Sequence, residues 1–136
     1  MNPTILMSPQ RAGLRPGEVM LTFDDGPNPH GDTTDRLLDA LAARGVRAAF
    51  CLIGRHAAAH PRLTRRIADE GHLLVNHFTH HCVPFSAAAA GREIDGWERM
   101  VGEVLGCGRY ESAFVRPACG LMTRGVREAL AVRGKR

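Results

Sequence analysis

The stretch Val19-Met20-Leu21-Thr22-Phe23-Asp24-Asp25-Gly26-Pro27 decides how the rest of the chain is read. Its first residues form an apolar run that predicts a strand over 19–23. Two adjacent carboxylates stand where that strand ends. They need counter-charges or a metal ion to remain ionised side by side. Gly26 and Pro27 turn the chain sharply, so both acids can face one pocket; a solvated Asp-Gly-Pro turn is the plainer alternative.

Downstream, short apolar runs alternate with helical patterns. Thr33 or Thr34 can cap a helix with Leu37, Leu38 and Leu41 on its apolar face, ending at Gly45. Residues 48–53 form a second strand. Pro61 opens a helix carrying Leu63 and Ile67 that stops before Gly71, and 73–75 form a third strand. Ser86 can cap the longest helix, where Ile94, Trp97, Val101 and Val104 recur at three and four residues. Phe114 and Val115 begin a fourth strand, and 123–132 form a last helix. The order βαβαβαβα implies an α/β fold of parallel strands joined by right-handed crossovers. Continuous apolar strands predict a sheet covered on both faces. Residues 1–18 read as an N-terminal extension and 19–136 as one domain.

Composition narrows the class. A chain of 136 residues suffices for one cored domain. No apolar run approaches a membrane span, and the N-terminus lacks the pattern of an export signal, so the chain reads as cytoplasmic as written. The charge of +4 comes almost wholly from arginines interspersed with acids. A nucleic-acid-binding domain would rest on that charge alone and is not expected. Cys51, Cys82, Cys107 and Cys119 have no metal-finger or disulfide-framework spacing and read as free thiols.

In parallel α/β folds, ligands gather at the C-terminal ends of strands. Two further clusters fall there. Asn76-His77-Phe78-Thr79-His80-His81 follows the third strand. In a helical or turn conformation His77 and His81, four apart, share one face within reach of one ion, and His80 is the competing partner. The other histidines, His30, His56, His60 and His72, are isolated and read as structural or solvated. Val115-Arg116-Pro117-Ala118-Cys119-Gly120 ends the fourth strand, where a fixed guanidinium can orient a carboxylate. Together the clusters supply one carboxylate and two imidazoles as ligands, a second carboxylate as base, and an arginine to hold it. Three protein ligands leave positions open for water, as in catalytic sites.

The order TFDDGP, HxxxH, RPxxG resembles the NodB-homology polysaccharide deacetylases, carbohydrate esterase family 4. The intervening Ala48-Ala49-Phe50-Cys51-Leu52-Ile53-Gly54, His60-Pro61 and Gly71-His72 are similar to the family as well. The resemblance implies a distorted (β/α) barrel that hydrolyses N- or O-acetyl groups on sugars of a polysaccharide, such as chitin oligomers or peptidoglycan. It implies Asp24 as catalytic base and Asp25, His77 and His81 as ligands of a divalent metal, zinc first, with cobalt or another transition metal as alternatives. It also implies Arg116 as the residue orienting the base and the Cys119 backbone N–H as oxyanion donor.

The sequence departs from the family at three places. Phe78 stands where Ser or Thr is usual, and Ala118 and Cys119 replace a proline and an aromatic residue. No histidine follows His81 and no tryptophan follows Trp97, so the family's Trp-containing and Leu-x-His motifs are missing. About four of the family's usual seven or so βα units are expected, a partial barrel. Two expectations follow: a catalytically inactive metal- or glycan-binding remnant as the alternative to an enzyme, and self-association through exposed sheet edges.

Overall fold

The computed structural model describes residues 14–136. Of the expected N-terminal extension, residues 1–13 lie outside the described residues. Three parallel strands, β1 (Thr22–Gly26), β2 (Ala49–Leu52) and β3 (Leu73–Asn76), stand side by side in that order. Five helices accompany them: α1 (Thr33–Ala42), α2 (Gly54–Ala59), α3 (Pro61–Asp69), α4 (Ala87–Leu105) and α5 (Arg124–Val132).

Alternation along the strands separates two faces. Phe50, Leu52 and Leu74 point outward and pack with Leu38 and Leu41 of α1, Ile67 of α3, and Trp97 and Val101 of α4. Ala49, Cys51 and Val75 point inward, where Phe114 packs against them. That inward face lines an open cavity of about 590 Å³. The expected cover on both strand faces is thus supplied by helices on one side only, as in a partial, unclosed barrel. A second apolar cluster joins Ile94 and Ala90 of α4 to Val126 and Ala129 of α5, with Phe78 and Ala118 between them.

Several local expectations change. The first strand lies three residues later than 19–23, because Val19, Met20 and Leu21 are exposed and the carboxylates themselves enter the ladder. The fourth strand reduces to one bridge, Asn76 to Val115. Its outer side is not bare: the Arg136 N–H donates to the Ala113 carbonyl and the Val115 N–H to the Arg136 carbonyl, so the last residue extends the pairing pattern by one position. Neither Thr33 nor Thr34 caps α1. The Thr33 hydroxyl donates to the His30 carbonyl and that of Thr34 accepts from the Asn28 N–H. Ser86 does cap α4, accepting from the Ala89 N–H, and Thr123, expected within the last helix, instead caps α5 by accepting from the Val126 N–H. Helix α2 had no expectation at all. Its six residues are too few to show a period.

Candidate metal and catalytic site

Consecutive residues of a regular strand point to opposite faces, so Asp24 and Asp25 could not share a pocket by strand geometry alone. The register resolves this. Asp24 pairs with Cys51 and Gly26 with Leu52, leaving Asp25 as a bulged extra residue at φ 64. Bulges re-aim side chains in this way, and both carboxylates line the cavity. The redirection comes from Asp25 itself, one residue before the expected Gly26-Pro27 turn.

The two histidines also meet by a route other than a helix. Residues 77–81 form an irregular turn in which Phe78 adopts φ 67. Asn76, wholly buried, holds that turn: its Oδ1 accepts from the Phe78 N–H at 2.9 Å and its Nδ2 donates to the Ile94 carbonyl at 3.1 Å. The first residues of α2 grip the other side, with Gly54 N–H donating to the Phe78 carbonyl and Arg55 N–H to that of Thr79. A Cβ at Gly54 would stand 3.2 Å from the Thr79 Cα and from the Trp97 ring, so glycine eases the close approach of α2 to this turn. Phe78, in place of a Ser or Thr, is a core residue, and the bracing hydrogen bond comes from Asn76 instead.

Asp25, His77 and His81 each present a donor atom, all within 4.8 Å of one another. Asp25 Oδ1 lies 3.3 Å from His77 Nε2 and 3.6 Å from His81 Nε2. Supporting bonds orient these groups. His77 Nδ1 is 2.6 Å from the Arg116 carbonyl, so Nδ1 carries the proton and Nε2 offers a lone pair to the cluster. His56 Nδ1 lies 2.9 Å from the Asp25 carbonyl and pins the bulge. His56 was read as isolated, yet it sits just past the C-terminal end of β2, where the positional rule for ligand sites would have flagged it. His80 turns elsewhere: its N–H and ring nitrogen both meet the Glu93 carboxylate. One carboxylate oxygen and two imidazole nitrogens, with the His77 ring and the Asp25 backbone held from behind, fit a divalent ion of the zinc type.

Beside this cluster Arg116 Nη1 donates to Asp24 Oδ1 at 2.9 Å and to Thr22 Oγ1 at 3.0 Å. Thr22, a further residue that spacing did not single out, thereby fixes the guanidinium against the second carboxylate. Cys51 lies beneath Asp24, and burial pushes its thiol up to about 12, against the opposing pull of Arg116. It is an inert part of the wall. Cys119 occupies a 3-10 turn at φ 57, with Sγ 4.0 Å from His81 Nε2. All six residues expected at the site therefore border one cavity.

A family model described as polysaccharide deacetylase matches residues 12–135. The chain is 50% identical over 70 residues to a chitooligosaccharide deacetylase of Rhizobium leguminosarum bv. trifolii, covering 52% of this chain and 32% of that one. It is 35% identical over 105 residues to a peptidoglycan-N-acetylglucosamine deacetylase of Bacillus cereus, covering 76% and 36%. A family 4 carbohydrate esterase of Streptomyces lividans, solved in complex with acetate, superposes with a TM-score of 0.74 at 32% identity, covering 88% and 60%. The chain thus spans about a third of the length of these curated relatives.

Proposed function

Because this chain belongs to the polysaccharide deacetylase family, matched along residues 12–135, we propose that it contributes a metal-dependent site for removing acetyl groups from sugars of a polysaccharide. The observation that carries this reading is the meeting of the Asp25–His77–His81 cluster with the Arg116–Asp24 pair in one open cavity. The chitooligosaccharide and peptidoglycan N-acetylglucosamine of the relatives' names suggest N-acetylated amino sugars as substrate, with O-acetyl sugars as the variant.

In this reading Asp25, His77 and His81 hold the ion, zinc by preference for its imidazole and carboxylate donors. A bound divalent ion supplies Lewis acidity toward the acetyl carbonyl and toward water. Asp24 takes the proton from the attacking water. Arg116, itself held by Thr22, keeps the Asp24 carboxylate aimed. The Cys119 backbone N–H donates to the acetyl oxygen as charge develops there. The open face of the cavity admits the sugar.

A second reading is metal or glycan binding without turnover. It is favoured by one observation: among the described residues lining the cavity, no histidine besides His77 and His81 stands ready to protonate a leaving amine. Such an acid is worth about 10²–10⁴ in rate. Metal titration and deacetylation of N-acetylglucosamine oligomers separate the readings. Asp24→Asn should keep metal affinity and abolish turnover, while Asp25→Asn should lose both. Tight metal binding with no turnover in the unaltered chain selects the second reading. Equal loss of metal in both variants contradicts the roles given to the two acids. Self-association through the outer edge of β1 is a separate proposal, taken up below.

A further inference from the structure

We propose that Phe85 and Leu121 form an apolar platform for a neighbouring sugar ring of the glycan, so that the site takes an oligosaccharide rather than a single sugar. This rests on the acetylated-glycan reading of the cavity. Phe85 is 82% exposed and Leu121 54% exposed. Among the described residues Phe85 is the one exposed aromatic; Phe23, Phe50, Phe78, Phe114, Trp97 and Tyr110 are all buried or half-buried. Exposed apolar residues need no explanation one at a time, whereas a group of them beside a cavity marks a ligand surface.

Both residues stand on loops that leave the site. Phe85 follows His81 closely in the chain, which limits the separation of their Cα atoms to about 14 Å. Leu121 lies between Gly120 and Met122, both of which border the cavity. The two loops are joined where they run into α4 and α5. The Thr123 hydroxyl donates to the Pro84 carbonyl at 2.7 Å, and a Cβ at Gly125 would collide with the Phe85 carbonyl. Pro84 is buried, and Ser86 on the other side of Phe85 caps α4. The Phe85 backbone is thus held from both sides while its ring stays in water. Such a preformed surface has little ordering cost left to meet on binding.

The chemistry of the occupant follows. A pyranose ring with equatorial substituents, as in N-acetylglucosamine, has two faces of C–H bonds and a rim of hydroxyls. Its face can lie on the Phe85 ring and the Leu121 side chain while the hydroxyls keep their water, the division that aromatic surfaces favour. Neither Phe85 nor Leu121 is among the residues lining the cavity that holds Asp25, His77 and His81. The sugar whose acetyl group meets that cluster therefore leaves the platform to the next unit of the chain. Binding energy from such a remote, unreacting unit is what holds the acetyl group in place for reaction.

The test is isothermal titration of the full 136-residue chain with N-acetylglucosamine and with its β-1,4-linked pentamer, run with zinc and again with a chelator. The pentamer should bind about tenfold or more tighter than the monosaccharide, the scale of one well-stacked aromatic face. Phe85→Ala should remove about tenfold of the pentamer affinity and leave the monosaccharide unaffected. Leu121→Ala should remove a smaller share, and Phe85→Tyr, which keeps the ring, should bind as the unaltered chain does. Because Phe85 is exposed, the thermal midpoint should stay put, which separates lost binding from lost folding. Equal affinity for the two ligands would overturn the proposal. So would a pentamer affinity indifferent to Phe85→Ala, equal losses for both ligands, or no binding of either ligand with or without zinc. Zinc titration of the same chain reads the metal cluster separately: no zinc binding with the length dependence intact would refute the metal reading and leave the platform standing.

Discussion

His77 Nδ1 lies 2.6 Å from the carbonyl oxygen of Arg116, while the guanidinium of that same arginine holds Asp24 at 2.9 Å. One residue thus serves a histidine of the Asp25–His77–His81 cluster through its backbone and the Asp24 carboxylate through its side chain. The two services are separable by substitution. Arg116→Met keeps the carbonyl, so metal affinity should escape the roughly 10–100-fold loss that follows removal of a ligand's supporting partner. Deacetylation should fall by about 10² or more, since the base is no longer aimed. Isothermal titration with zinc beside an activity assay checks both halves; parallel loss of metal and activity would refute the division.

The two neighbouring histidines make a sharper comparison. His81 faces Asp25, and His80 is spent on Glu93, which receives both its backbone N–H and its ring. His81→Ala should weaken metal binding by about 100-fold, at the upper end expected when coordination is disturbed. His80→Ala should leave it nearly unchanged while loosening the tie between the turn and α4. Zinc competition against a chromophoric chelator reads the difference, and the reverse ranking would show that the wrong pair had been assigned.

Much of this site was legible because its residues follow strand ends, where the fold rule places ligands. The periods of α3 and α4, and the cap Ser86, were equally readable, since each is a local pattern. What escaped depends on contacts far apart in sequence. The Asp25 bulge is defined by its register against β2, about 26 residues away, and nothing in Asp-Asp-Gly announces it. The buttress from His56 and the grip of Gly54 on Phe78 depend on α2, whose six residues carry no periodic signal. Val115 looked like a strand because it is apolar, yet its burial comes from the α4–α5 cluster as much as from the sheet.

Away from the cavity, α1 and α3 are tied by charge. Asp35 receives Arg62 at 3.0 Å and Arg66 at 2.7 Å, and Arg66 also reaches Asp39 and Glu70. The hydrogen bonds from Arg62, then those from Arg66, hold the Asp35 carboxyl down at about 2. A carboxylate whose folded value is depressed contributes stability that is complete above its unfolded value of about 3.9 and declines as pH falls through the folded one. Asp35→Asn should therefore lower the thermal midpoint at pH 7 by a small amount, as for solvent-screened pairs. The gap to the unaltered chain should narrow between about pH 4 and pH 2. Melting curves at several pH values measure it, and a gap constant down to pH 2 would exclude Asp35 as its source.

The outer edge of β1 yields the last expectation. Among the described residues β1 pairs with β2 alone, so its other side presents unpaired backbone groups. Val19, Met20 and Leu21 lead into it at 85%, 40% and 44% exposure, beside the apolar inward face formed by Ala49, Cys51 and Val75. An unguarded edge next to apolar surface recruits another strand, and lysine at such an edge opposes pairing. The 136-residue chain should therefore self-associate as concentration rises, and Val19→Lys with Leu21→Lys should shift it toward monomer. Neither substitution removes a residue bordering the metal cluster, so zinc affinity should be retained and serves as the control for folding. Sedimentation velocity over a concentration series gives the result. A single monomeric species at every concentration, with one sharp melting transition, would mean that this edge is already covered, and the two lysines would then have nothing to displace.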